Sequence, residues 1–163
     1  MKKVLVVMGS DSDLKVMEKI DDRLKSFGIP TEVRICSAHR TPAVAEQLAK
    51  NAAGEGFGVI IAAAGKAAHL GGVLAAYTTL PVIGVPMATS VMGGMDSLLS
   101  IVQMPKGIPV ATVAIDGADN AAILAAQMIA LSDEALAEKL AQFKADMAAE
   151  VTAKDEKVRA QFA

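Results

Sequence analysis

The sequence has no tryptophan, one tyrosine and four phenylalanines in 163 residues, so aromatic rings can fill little of its core. Its single cysteine, Cys36, excludes an internal disulfide framework and a zinc knuckle. A reducing cytoplasm fits that usage. Cys36 itself reads either as a reactive thiol or as a small buried residue at a strand end. Basic residues are also sparse: 16 Lys and Arg against 18 Asp and Glu give a net charge of −2. No basic patch interleaves with aromatics, which argues against a nucleic-acid surface. Long apolar runs are missing as well. MKKVLVVMGSDSD starts basic, but its apolar run lasts five residues before Gly9 and acids follow, unlike a signal peptide. Between Gly56 and Met95 the only formal charge is Lys66, yet glycines, Pro81 and Pro86 divide that stretch into pieces too short to cross a bilayer.

What remains is small and aliphatic. The hydrophobic share is 53% with a mean hydropathy of +0.41, carried by Ala, Val, Ile, Leu, Met and Gly. At 16.8 kDa the chain suits one domain with a real core. Five apolar runs predict strands: Lys2–Met8, Thr31–Cys36, Gly58–Ala63, Pro81–Val85 and Pro109–Ile115. Their continuous Val and Ile content predicts strands covered on both faces. Helical patterns alternate with them over Asp13–Phe27, Pro42–Ala53, Ala67–Tyr77, Gly94–Met104 and Ala118–Leu131. The expected fold is α/β: a three-layer αβα sandwich around a flavodoxin-like parallel five-stranded sheet of order 2-1-3-4-5.

The last segment differs. Ser132–Gln161 is charged, with Leu136, Leu140, Phe143, Met147 and Val151 forming one helical stripe. A helix of about thirty residues spans ~45 Å, against a radius of gyration of roughly 15 Å for a domain of this length. Residues 1–131 therefore read as an α/β core, and 132–163 as a long helix that wraps the domain or reaches a neighbouring subunit. The stripe favours contact, so an oligomer is expected.

Parallel sheets of this kind bind ligands beyond the carboxyl ends of their strands, and the polar residues collect there. Strand one leads into Gly9-Ser10-Asp11-Ser12-Asp13, strand two into Ser37-Ala38-His39-Arg40-Thr41-Pro42, and strand three into Gly65-Lys66-Ala67-Ala68-His69-Leu70. Both histidines of the chain meet on this rim. A strand-to-helix loop of Ser and Asp is a ready anion site and equally an N-cap. Asp13 would repel a phosphate, so it suits sugar hydroxyls or capping. Arg40 adds a fork able to grip phosphate, or else a surface ion pair. No G-x-G-x-x-G, G-x-x-x-x-G-K-[ST] or G-x-S-x-G pattern is present. Two distant histidines and one cysteine make a weak case for a metal. Strand three ends in Ala-Ala-Ala-Gly, without the aspartate of a phosphate-receiving signalling domain.

The runs GSDSD, SAHRTP, AAHL, GMDSLLSIVQMPKGIPVATVAI and NAAILAAQ resemble, in order, the class I 5-(carboxyamino)imidazole ribonucleotide mutases of purine biosynthesis, from about Lys3 to Leu131. The resemblance implies transfer of a carboxylate from an exocyclic nitrogen to ring carbon C4, without metal, biotin or ATP and through trapped carbon dioxide. His39 matches the acid–base histidine. Ser10, Ser12 and Asp13 match the loop around the ribose phosphate, Ser37 and Arg40 further phosphate and ribose contacts. Gly65, Ala68, His69 and Leu70 match the segment enclosing base and carboxylate, where His69 would order the site. The resemblance also implies a homo-octamer whose C-terminal helix packs on neighbours, with no nucleic-acid or membrane partner and no cofactor.

Three features depart from the pattern. Lys66 stands where glycine or an uncharged residue is usual; it could face solvent, pair with a carboxylate or change the hold on substrate. Gly71 replaces a proline and should loosen its turn. The link Asp116-Gly117-Ala118-Asp119 is short. The alternatives are a class II relative that carboxylates aminoimidazole ribonucleotide directly with carbon dioxide, and a non-catalytic nucleotide-binding relative. Arg40, in place of a lysine, and the SIVQMP run favour class I.

Overall fold

The computed structural model describes residues 1–163. Five strands, β1 (Lys3–Met8), β2 (Thr31–Ile35), β3 (Phe57–Ala64), β4 (Val82–Pro86) and β5 (Ala111–Thr112), form one sheet of order β2-β1-β3-β4-β5. Every pairing is parallel. The helices are α1 (Leu14–Ser26), α2 (Pro42–Ala52), α3 (Leu70–Tyr77), α4 (Met95–Val102), α5 (Ala118–Ala130) and α6 (Glu134–Gln161).

Alternation along the central strands builds both faces of the core. Val4, Val6 and Met8 of β1 pack with Met17, Ile20 and Leu24 of α1 and the alanines of α5. Leu5 and Val7 point the other way, toward Ala45 and Ala49 of α2, Leu70 and Leu74 of α3 and Ile101 of α4. The sandwich therefore has helices on both sides, as the Val- and Ile-rich runs require. In β4, Gly84 leaves space that Ile101 occupies; a Cβ there would overlap its Cγ2 atom.

Two edge strands correct the expectation of full cover. In β2, Val33 and Ile35 are exposed, because β2 pairs on one side alone and carries Glu32 and Arg34, which join in an ion pair at 3.1 Å. The expected fifth strand over Pro109–Ile115 contracts to Ala111–Thr112. Beyond it the chain still follows β4 through Val113 N donating to Gly84 O and Asp116 N to Pro86 O. Pro109 has no N–H to offer, and Asp116, at φ +55, turns the chain away from the sheet.

Helix α6 begins where Asp133 accepts a hydrogen bond from Leu136 N at 3.0 Å. Its first half docks. Leu136 is fully buried, a contribution of about 1.5–3 kcal/mol. Phe143 meets Phe27 edge-on with centroids 5.5 Å apart, and Lys139 Nζ donates to the carbonyl of Phe27 at 3.1 Å, just past the end of α1. From Met147 onward the stripe is exposed, with Val151 at 65%. The expected stripe thus divides, half on its own domain and half free. No helix is long and apolar enough to cross a membrane.

Candidate active site

The loops after β1, β2, β3 and β4 surround a cavity of about 600 Å³, a size suited to a small ligand such as a nucleotide. From the first loop, Gly9, Ser10, Ser12 and Asp13 line it. Ser10 is the N-cap of a 3-10 turn over Asp11–Asp13, its hydroxyl accepting from Ser12 N at 3.3 Å. Asp13 precedes α1 but makes no side-chain cap bond; it accepts instead from the Ser12 hydroxyl at 3.1 Å. Capping thus falls to Ser10 and leaves Asp13 to the cavity. Burial pushes the Asp13 carboxyl up from its usual range, the Ser12 hydrogen bond opposes this, and Asp116 and Asp11 add repulsion.

The second loop is a closed turn. Thr41 N donates to Ser37 O at 2.9 Å, and the Thr41 hydroxyl accepts from Ser37 N and donates to Ser37 O, both at 3.0 Å. Pro42 then opens α2 at its first turn. The Ser37 hydroxyl accepts from Arg40 N and Arg40 Nε, and Arg40 Nη2 donates to Gly9 O at 3.3 Å. These contacts aim the guanidinium across the first loop, and no carboxylate pairs with it. The rest of its fork is free for an anion. Cys36 is 1% exposed below this turn, with Sγ near the Thr41 oxygens; it is a core residue.

The third loop departs most from the sequence expectation. Lys66 takes a left-handed φ of +57. Tight turns follow, with Ala68 N donating to Lys66 O and His69 N to Ala67 O. Helix α3 therefore starts at Leu70 rather than Ala67, with His69 as its N-cap. Gly65, Lys66, Ala67 and Leu70 line the cavity, while Ala68 is buried in the core beneath. His69 does not line it, yet its Nδ1 lies 2.9 Å from Nε2 of His39, which does.

Sequence reasoning missed the fourth loop. Met87, Ala88, Thr89 and Ser90 complete the wall, and the strand-end rule already pointed to them after PVIGV. Asp116 holds this loop, its Oδ1 accepting from Ala88 N at 2.9 Å. Asp96 accepts from the Thr89 hydroxyl at 2.9 Å. One turn of α4 also grips the third loop: the Ser97 hydroxyl accepts from Lys66 N at 2.9 Å, and the Ser100 hydroxyl donates to Lys66 O at 3.3 Å. The MDSLLS run is thus a brace for two loops of the cavity.

A rim of hydroxyls and one guanidinium on one side, paired imidazoles, and a small-residue loop opposite can hold an anionic ligand and move protons on it. Known proteins share this chain's sequence pattern and fold. The family described as AIR carboxylase matches residues 3–150. N5-carboxyaminoimidazole ribonucleotide mutase of Methanocaldococcus jannaschii is 52% identical over 98% of this chain and 99% of its own. The Thermotoga maritima protein of the same name is 52% identical over 97% and 92%. A crystal structure of Treponema denticola PurE superposes with a TM-score of 0.85 at 32% identity, covering 94% of this chain and 96% of that one. By sequence and by fold, this chain belongs to the AIR carboxylase family.

Proposed function

We propose that this chain is an N5-carboxyaminoimidazole ribonucleotide mutase, an isomerase that moves the substrate's carboxyl group from the exocyclic nitrogen to C4 of the aminoimidazole ring. The full-length relatives of that name carry the assignment. The observation that carries the mechanism is His39 in the cavity wall, between the Ser10–Arg40 rim and the Gly65 loop and against His69.

Ser10, Ser12, Ser37 and Arg40 hold the ribose phosphate, and Asp13 accepts from ribose hydroxyls. Protonated His39 gives its proton to the exocyclic nitrogen as the N–C bond breaks, releasing carbon dioxide and leaving neutral aminoimidazole ribonucleotide. The C4 carbon attacks the retained carbon dioxide, and His39 takes the C4 proton so that the ring regains aromaticity. Atoms and charge balance over the cycle, so the scheme calls for no ATP. Imidazole suits both transfers because it exchanges protons near neutral pH. Such assistance supplies about 10²–10⁴ in rate. Confinement supplies the rest, since aligned partners reach effective molarities of roughly 10⁵–10⁸ M. Gly65 and Leu70 close around the base and carboxylate, Ala68 supports them from below, and His69 orients His39.

The proposal extends to assembly. The free half of α6, with Met147 and Val151 exposed, packs on other copies of the chain in a homo-octamer, and the enzyme works in the cytoplasm. Sedimentation equilibrium tests the assembly. The chemistry is tested by following ultraviolet absorbance with the carboxyamino substrate, without added metal or ATP. Conversion to 4-carboxy-5-aminoimidazole ribonucleotide is expected; bare decarboxylation, or dependence on added bicarbonate, contradicts the reading.

A further inference from the structure

Lys66 combines three observations that belong together. It lines the cavity, and it is the only lining residue held in a left-handed conformation, at φ +57. Glycine would occupy that conformation at lower cost. The loop's shape does not depend on the lysine side chain, because Ser97 and Ser100 hold the Lys66 N–H and C=O instead. Its ammonium takes part in no hydrogen bond or ion pair within the chain, unlike the lysines paired with Asp21, Glu46 and Glu150. An exposed lysine with no partner in the protein thus borders the cavity at a conformational cost.

The sheet order says which part of a substrate it meets. β1 lies between β2 and β3, so the crevice has the phosphate-binding rim of the β1 and β2 loops on one side and the Lys66 loop on the other. His39 reaches across this gap to His69, three residues beyond Lys66. A carboxylated nucleotide has two anionic ends, the phosphate and the carboxylate. With the phosphate on the Arg40 side and the ring beside the imidazole pair, the carboxylate lies on the Lys66 side.

We infer that Lys66 is the specificity-determining residue for the carboxylate: its ammonium pairs with the substrate carboxylate on nitrogen and with the product carboxylate on C4. The inference rests on the mutase reading for the identity of the ligand. No bond to lysine forms. A flexible four-carbon stem with three rotatable donors can follow the group between its two positions. The pairing is made to both ground states and is weakest to neutral carbon dioxide. It therefore strengthens binding and selects carboxylated over bare nucleotide without accelerating the chemical step.

The test is calorimetric titration of wild type, Lys66→Gly, Lys66→Met and Lys66→Arg with 4-carboxy-5-aminoimidazole ribonucleotide and, in bicarbonate-free buffer, with 5-aminoimidazole ribonucleotide. Lys66→Gly and Lys66→Met are expected to lose about tenfold or more in affinity for the carboxylated ligand, the scale of a hydrogen bond to a charged group, and nothing for the bare one. Lys66→Arg keeps the preference. The Met variant retains the backbone demand that the Gly variant relieves, so a loss shared by both comes from the missing charge. In turnover, KM should rise and kcat should hold or increase, because a contact weakest at carbon dioxide favours the ground states over the barrier. Equal losses for the two ligands, or no loss, overturn the inference. If the wild type fails to turn over, the mutase reading falls, and the ratio of the two affinities still decides the role of Lys66.

Discussion

Nε2 of His39 and Nδ1 of His69 lie 2.9 Å apart, joining two loops whose histidines are thirty residues apart in the chain. At that separation one nitrogen donates and the other accepts, so each imidazole sets the tautomer and orientation of the other. Changing His39→Asn should cut kcat by about 10²–10⁴ while leaving nucleotide affinity nearly intact. His69→Asn should cost less, on the order of tenfold to a hundredfold, as expected when a reacting group is misplaced rather than removed. The double variant should be no slower than His39→Asn alone, because the second change then removes an aid to a group already gone. Single-turnover rates for the three variants check this. Fully additive losses would show that His69 acts independently.

Arg40 projects from a turn that Ser37 and Thr41 lock. Arg40→Leu should weaken binding of the nucleotide by about tenfold or more and binding of the unphosphorylated nucleoside much less. Equilibrium titrations with both ligands measure the difference. Equal weakening would remove the phosphate assignment.

Asp13 carries a pH signature. Burial raises its carboxyl above the ordinary value of 3.8, so over the window above 3.8 the folded chain binds this proton more tightly than the unfolded chain does. Stability therefore falls as pH rises through that window and stays lower at neutral pH. Asp13→Asn should unfold at higher temperature than wild type at neutral pH, with the advantage shrinking on acidification, and should bind nucleotide more weakly. Thermal unfolding across acid to neutral pH provides the check. An advantage that grew on acidification would reverse the sign of the argument.

Gly71 sits in the first turn of α3, where an added Cβ would lie 3.6 Å from Val110 and 3.7 Å from Ala62, ordinary contact distances. The turn itself is formed, with Val73 N donating to His69 O at 3.0 Å. The looseness expected from its sequence is thus unfolded-state entropy rather than a broken turn. Gly71→Ala should gain about 0.5–1 kcal/mol, or roughly 2–4 °C per kcal/mol in Tm. Calorimetry measures it; a lower Tm would mean that the helix needs its glycine.

The strand order was legible because β1, β3 and β4 are buried on both faces and so carry unbroken Val and Ile runs. The edges were less legible. Nothing in PVATVAI announces that only Ala111 and Thr112 pair in register, because that depends on the alignment with β4. Most of the cavity followed from the rule that ligands sit at strand ends, which placed Ser10, Asp13, Arg40 and Gly65 correctly on its wall. Thr89 and Ser90 obey the same rule but lie in a run with little charge to attract notice. The contact of His69 with His39 was illegible, since it depends on α3 starting at Leu70, and that start is set by the left-handed turn at Lys66. The role of MDSLLS likewise emerges only in three dimensions.

That brace has a consequence for variation. Ser97 and Ser100 hold residue 66 solely by its main chain, so they would hold in the same way any residue that keeps an N–H and tolerates the left-handed φ. The position behaves as a socket into which side chains of different charge can be plugged while the surrounding trace stays put. Retuning which ring substituents the enzyme accepts would then require a single codon, with no refolding of the loop that presents it.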